Sequence, residues 1–139
     1  MKKVLVIGTG SIAQKHINIL KSLKYLVYVY SETNNEFFKK NLKINRLTNL
    51  DKLNIFEFVI LANKTSDHLK ILKILINQKI HIYCEKPIFY KKFNYQNIRK
   101  KIKKNEIIFH NGYQLRNDSK IKYIIKRLKK LKIKSFQVS

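Results

Sequence analysis

Hydrophobic and polar positions along the chain fall into two rhythms. Short apolar runs, of the kind that form strands buried on both faces, occur at Lys3–Ile7, Leu26–Tyr30, Leu42–Arg46, Phe58–Leu61, Ile80–Tyr83 and Ile107–Asn111. Between them, apolar residues recur at helical spacing and predict helices over Ser11–Leu23, Asn34–Asn41, Asp67–Gln78 and Phe93–Lys104. In the third of these, Leu69, Leu72, Leu75 and Ile76 share one face, as a helix packed on a sheet requires. Further on, Ile121, Ile124, Ile125 and Leu128 mark another amphipathic helix, and Lys134–Ser139 (KSFQVS) alternates like a strand. Strand and helix alternate without a Pro/Gly-rich linker or repeat, which predicts an α/β fold: a doubly wound parallel sheet with helices on both faces. The last strand finds no partner later in the chain, so the sequence is expected to stop where further sheet would begin.

The first strand carries the sharpest chemical signal. Val4–Ala13 reads VLVIGTGSIA, an apolar strand entering a Gly-x-Gly-x-x-Ala turn and then a helix. Gly8 permits the tight turn, Gly10 lets backbone approach a phosphate where a Cβ would clash, and Ala13 keeps helix and strand close. A pyrophosphate would rest on the free N–H groups of the helix that begins near Ser11. Tyr25–Tyr30 (YLVYVY) follows as the second strand of a βαβ unit, where a Rossmann arrangement puts it. A ribose-binding acid belongs near the end of that strand. Glu32 is close to this place, but Ser31 occupies the tip itself. A carboxylate there accepts from both ribose hydroxyls and repels a 2′-phosphate, whereas a serine tolerates that phosphate, so NAD and NADP both stay open. The plainer reading of residues 31–35 is a turn and N-cap for the helix carrying Phe37 and Phe38.

Composition narrows the class more than it names a partner. With 139 residues and 45% hydrophobic content, the chain is long enough to bury a core. No stretch has the apolar length of a membrane span and the N-terminus lacks a signal-peptide pattern, so a cytoplasmic protein is expected. The single Cys84 can form no internal disulfide, and without clustered histidines it makes no zinc site. It is expected to be a small apolar residue at a strand end, and no metal site is expected.

The formal charge of +23 ordinarily suggests nucleic acid or an anionic membrane. Here lysine, isoleucine and asparagine dominate even where arginine, leucine or aspartate would serve, a bias that coding composition produces without selecting a partner. The basic residues thicken from Lys91 to Lys134, opposed only by Glu106 and Asp118. No nucleic-acid module or basic-aromatic platform accompanies them, so neither a specific nucleic-acid partner nor a membrane is expected. Weak, salt-sensitive adsorption to polyanions is.

Two more segments follow predicted strands at their carboxyl ends, where open α/β sheets bind ligands: Leu61-Ala62-Asn63-Lys64-Thr65-Ser66-Asp67-His68 and Tyr83-Cys84-Glu85-Lys86-Pro87-Ile88. With GTGSIA, the motifs ANKTSDH and CEKPI stand in the order and spacing of the Gfo/Idh/MocA family, which this chain resembles: oxidoreductases of the glucose-fructose oxidoreductase and inositol dehydrogenase type. Gly112-Tyr113-Gln114-Leu115-Arg116 is similar to that family's exit from its sixth strand.

The resemblance implies a dinucleotide-binding domain over residues 1–116 and the start of a second α/β substrate domain over 117–139, largely missing. It implies NAD or NADP as cofactor and hydride transfer to or from a sugar-like alcohol or ketone. Residue by residue, Gly8, Gly10, Ser11 and Ile12 would line the pyrophosphate and adjoining ribose, and Ser31 and Glu32 would face the adenosine ribose. Asn63 and His68 would line the cleft, and Glu85 would meet the nicotinamide half. Lys86 would reach the substrate hydroxyl as a buried ammonium polarising its oxygen, with Pro87 fixing the backbone there. The plainer readings are a helix-turn residue for His68, a solvated lysine for Lys86 and a structural or cleft-lining residue for His110. No residue matches the family's aspartate and histidine from the second domain. The alternative to an oxidoreductase completed by the missing domain, a partner chain or a second copy is therefore a truncated remnant, or a nucleotide-binding protein that pairs through its orphan edge strand without turnover.

Overall fold

The computed structural model describes residues 1–33, 36–41, 43–89, 94–113 and 118–130. Six strands form one parallel sheet: β1 (Lys3–Ile7), β2 (Leu26–Tyr30), β3 (Asn45–Leu47), β4 (Phe58–Leu61), β5 (Ile82–Cys84) and β6 (Phe109–Asn111), in the order β3-β2-β1-β4-β5-β6. Helices α1 (Ser11–Ser22), α2 (Glu36–Lys40), α3 (Thr65–Asn77) and α4 (Gln96–Lys104) connect the strands, and α5 (Ser119–Lys130) follows β6.

The continuous apolar reading of β1 has a direct cause. Successive side chains point to opposite faces, and both faces are covered. Val4 and Val6 pack with Ala13, Ile17 and Leu20 of α1, whereas Leu5 and Ile7 pack with Ile71, Leu72, Leu75 and Ile76 of α3. Between β3 and β4 the chain runs without a helix and is anchored by buried Leu50, Leu53 and Phe56. The Gln78 amide holds this stretch, accepting from Leu53 N–H at 3.0 Å and donating to the Leu50 carbonyl.

Several element boundaries differ from the sequence reading. β5 and β6 start at Ile82 and Phe109 rather than at Ile80 and Ile107. The reason is that helices α3 and α4 close with left-handed residues, Lys79 (φ 56°) and Glu106 (φ 54°). The next amides, of Ile80 and Ile107, then bond back to Leu75 and Ile102. These apolar residues finish a helix and cannot begin a strand. α1 closes in the same way at Lys24 (φ 62°) and ends at Ser22 instead of Leu23. α3 starts at Thr65, two positions before the expected Asp67.

β3 is centred on Asn45–Leu47 rather than Leu42–Arg46, because its register against β2 pairs Tyr28 with Asn45. The second helix spans only Glu36–Lys40 where Asn34–Asn41 was expected, with Asn34 and Asn35 outside the described residues. Likewise α4 begins at Gln96, and Phe93 is outside them. The amphipathic helix near the end is present as α5, capped by the Asp118 carboxylate, which accepts from the amides of Lys120 and Ile121. None of its side chains is buried. The strand expected at Lys134–Ser139 lies outside the described residues.

Among the described residues, no helix is long and apolar enough to cross a membrane, and no cluster of His, Cys, Asp and Glu could hold a metal.

Candidate functional site

Chain direction across the sheet reverses between β1 and β4, since β1 leads outward to β2 and β3 while β4 leads the other way to β5 and β6. At such a switch point the flanking loops diverge and leave a crevice at the carboxyl ends of the strands. A cleft of about 500 Å³ opens there, within the range of small-molecule sites. Its walls come from the ends of β1 (Ile7 to Ile12), β2 (Tyr30 to Thr33) and β4 (Ala62 to Lys64), with Asp67 and Ile71 of α3.

The two glycines of the first turn have separate reasons. Gly8 has φ +119°, and a Cβ there would stand 2.5 Å from the Ala62 carbonyl oxygen and 2.8 Å from the Asn63 nitrogen. It is required by the fold, because the β1 turn passes against the backbone leaving β4. Gly10 has ordinary extended backbone (φ −68°, ψ 177°) and a Cβ on it would meet nothing within 4 Å. The protein itself therefore makes no demand for glycine at this position. A Cβ would instead fill space at the mouth of α1, whose N-terminus has no side-chain cap. The first amides of a helix have no intrahelical acceptor and carry the positive end of its dipole, so this mouth suits a phosphate.

A third observation comes from Asn63, whose buried Oδ1 has no hydrogen-bond partner, a costly state that a ligand donor would relieve. Open space at Gly10, the uncapped helix and the orphaned Asn63 oxygen together fit a dinucleotide.

Seven of the residues singled out from sequence line this one cleft: Gly8, Gly10, Ser11, Ile12, Ser31, Glu32 and Asn63. Glu32 at its far end is bound by Lys70 of α3, Nζ to Oε1 at 2.7 Å. The hydrogen bond and charge of Glu32 hold the Lys70 ammonium above its usual pKa.

The other three, His68, Glu85 and Lys86, are not among the lining residues. His68 is buried in the first turn of α3. Its ring nitrogens lie 3.2 Å from the Asn63 carbonyl and 3.3 Å from the Ile88 carbonyl. A ring with one N–H donates to only one of these carbonyls, so the buried ring is hydrogen-bonded to one of the loops after β4 and β5 and packs against the other. Glu85 is also buried, and its Oε1 accepts from His16 Nε2 at 2.7 Å. Lys86 is exposed and precedes a cis peptide to Pro87. The burial that would sharpen its ammonium as a polarising group is absent from the described residues, contrary to expectation.

His16 was not singled out from the sequence, although a signal for it was there. It sits between Ala13 and Leu20 on the stripe of α1 that faces the sheet, three residues after the one and four before the other. A polar residue on such a stripe needs a partner, and Glu85 supplies it. Tyr83 lies edge-on to the His16 ring and stacks on His110, with centroids 5.4 Å apart in each case. His110 thus lies in β6 as an exposed stacking residue. The Gln114–Arg116 part of the sixth-strand motif is outside the described residues.

Cys84 ends β5 fully buried, as expected of a small apolar residue. Burial, aided by the Glu85 carboxylate, pushes its thiol pKa up to about 12. At pH 8 only about one thiol in 10⁴ is then ionised, and thiolate is the reactive form. Ellman's reagent should leave the native chain unmodified over the time in which the urea-unfolded chain reacts completely, and rapid native labelling would contradict this burial.

Comparison with known proteins agrees with this geometry. Residues 2–113 match the model of the Gfo/Idh/MocA family, described as an oxidoreductase family with an NAD-binding Rossmann fold. Glucose-6-phosphate 3-dehydrogenase of Bacillus subtilis (strain 168) is 31% identical over 93 residues, 63% of this chain and 27% of that protein. Among solved structures, scyllo-inositol dehydrogenase from Lactobacillus casei with bound NAD(H) and scyllo-inositol superposes with a TM-score of 0.77 at 21% identity, covering 97% of this chain and 43% of that one. UDP-N-acetylglucosamine 3-dehydrogenase from Acidithiobacillus ferrooxidans gives 0.75 at 18% identity, covering 90% and 42%. At these identities the structural likeness is one of fold, and the chain spans less than half the length of each of these relatives. By the match over residues 2–113 and the switch-point cleft of its parallel sheet, the chain belongs to the Gfo/Idh/MocA oxidoreductase family, whose NAD-binding Rossmann domain it carries.

Proposed function

We propose that the chain holds NAD or NADP in the cleft between the ends of β1 and β4, and that this unit serves hydride transfer to or from a sugar-like alcohol or ketone. The observation that carries the reading is the mouth of α1, where Gly10 leaves open space before uncapped helix amides. The nicotinamide supplies or takes up the hydride when bound.

The chain's own residues have distinct tasks in this scheme. Amides at Ser11 and Ile12 bind the pyrophosphate, Ser31 and Glu32 take the adenosine ribose, and Asn63 Oδ1 accepts a donor. His68 packs between the loops after β4 and β5, and His16 fixes the Glu85 carboxylate beside the EKP turn. Lys86 polarises the substrate oxygen, which demands that its exposed ammonium be covered.

We assign that cover to the substrate side of the site: a second α/β domain beginning at about residue 117, or a complementing chain. The exposed Tyr123, Ile124 and Ile125 of α5 supply apolar surface for it. The sugar-like class rests on what the relatives are named for.

Fluorescence anisotropy of NADH and NADPH titrated with the chain at low and high salt tests the reading. A charge of +23 attracts any polyanion, and only that non-specific share collapses as ions screen it. Saturable binding whose affinity stays within about threefold at about 0.5 M salt is expected for a built site. Binding that vanishes with salt would contradict it.

A further inference from the structure

Beside the cleft, touching its lining residue Glu32 without lining it, stands a cation that the family motifs do not include. Lys70, in the second turn of α3, reaches Glu32 at 2.7 Å, bridging the loop after β2 and the helix after β4. Both side chains are substantially exposed, at 67% for Lys70 and 43% for Glu32. Lys64 and Asp67 of the same segment line the cleft, so among the described residues the charged side chains lining it or touching Glu32 are two carboxylates, Glu32 and Asp67, and two ammoniums, Lys64 and Lys70. Glu32 alone would repel a 2′-phosphate; held by Lys70, its charge is cancelled. An exposed ion pair is weakly held, and a lysine on its flexible stem can turn to a stronger anion. A phosphate dianion is such a competitor.

Resting on the dinucleotide reading of the cleft, we infer that Lys70 is a specificity-determining residue that admits a 2′-phosphorylated dinucleotide, so that the chain accepts NADPH as well as NADH. Glu32 serves the ribose hydroxyls of the one, and for the other Lys70 swings to lie between Glu32 and the phosphate, so that its ammonium still offsets the carboxylate. The Ser31 and Thr33 hydroxyls, 3.4 Å apart beside Glu32, add donors at the same end.

The test is direct titration of NADH and of NADPH into the full chain, Lys70→Ala and Lys73→Ala at about 0.3 M salt. Lys73 lies one turn on in α3 and lines a different cleft, whereas Glu32 is paired with Lys70, so loss of Lys73 removes a charge but not the proposed contact. The unaltered chain should bind the two dinucleotides within about tenfold of each other. Lys70→Ala should weaken NADPH by about tenfold or more and NADH by less than about threefold, while Lys73→Ala changes both slightly and alike. An unchanged NADPH-to-NADH ratio in Lys70→Ala would overturn the inference. So would NADPH binding to the unaltered chain more than about a hundredfold weaker than NADH, and in both cases the cleft remains a dinucleotide site. Absence of salt-resistant binding of either dinucleotide would remove the cleft reading and this inference together.

Discussion

Gly8→Ala should destabilise the fold by about 3–5 kcal/mol and lower the melting temperature by about 10 °C or more. The φ of +119° is a conformation that L side chains rarely adopt, which by itself costs about 1–3 kcal/mol. The new Cβ would also stand 2.5 to 2.8 Å from three atoms of the Ala62–Asn63 backbone. Backbone cannot swing aside as a side chain can, so relief must come from parting β1 and β4, the central strand pair of the sheet. The register there runs from Val4 against Phe58 to Ile7 against Leu61, with Leu5, Ile7, Val59 and Leu61 almost wholly buried. Loosening that pair disturbs the core on which α1 and α3 rest. Since domains of this size are stable by only about 5–15 kcal/mol, the loss is a large fraction of the whole. Thermal and urea unfolding monitored by circular dichroism measure it, and a melting temperature lowered by less than about 2 °C would contradict the close approach.

The neighbouring glycine should behave in the opposite way. Gly10→Asp is expected to keep or raise stability, by up to about 1 kcal/mol, while weakening NADH binding at least about a hundredfold. Its backbone suits any residue, and open space surrounds the new side chain. Replacing glycine also removes freedom from the unfolded chain. An aspartate at this N-cap position can accept from the first free amides of α1 and complement the helix dipole. Those are the groups assigned to the pyrophosphate, so the stabilising contact blocks the site and sets a carboxylate where phosphate must go. Gly10→Val separates the two effects: it fills the space without capping and should lose binding with little change in melting temperature. Unfolding curves alongside NADH titrations read both quantities, and unchanged affinity in both variants would remove the glycine turn from the site.

How much of this was legible beforehand follows from the range of each interaction. Strands β1, β2 and β4 and the glycine turn are written in local pattern, since double-sided burial forces unbroken apolar runs and the turn needs glycine where the backbones meet. Strand starts after α3 and α4 were misplaced because Ile80 and Ile107 read as strand residues but finish helices, behind left-handed Lys79 and Glu106. That closure ordinarily announces itself by glycine, and this chain has only 3 glycines to spend. Edge strand β3 was misplaced because it has little burial of its own, with Asn45 and Arg46 exposed. Its position is set by pairing with β2.

The site divides along the same line. Gly8, Gly10, Ser31, Glu32 and Asn63 could be placed by their positions at strand ends. His16 with Glu85 and Lys70 with Glu32 are contacts across 69 and 38 residues, fixed only once α1 and α3 lie against the sheet. Lys86 is exposed because nothing among the described residues packs over the turn that carries it.

The central claim is that a dinucleotide occupies the cleft at the β1–β4 switch rather than adhering to the basic surface. It is tested most directly by recording ¹H–¹⁵N correlation spectra of the chain during an NADH titration at about 0.3 M salt. Saturating shifts should concentrate on the amides of Gly8, Thr9, Gly10, Ser11, Ile12 and Asn63 and on the Asn63 side-chain amide, with α4 and α5 unmoved. Shifts spread over the lysines of α4 and α5, with the Gly8–Ile12 amides unmoved, would contradict the account.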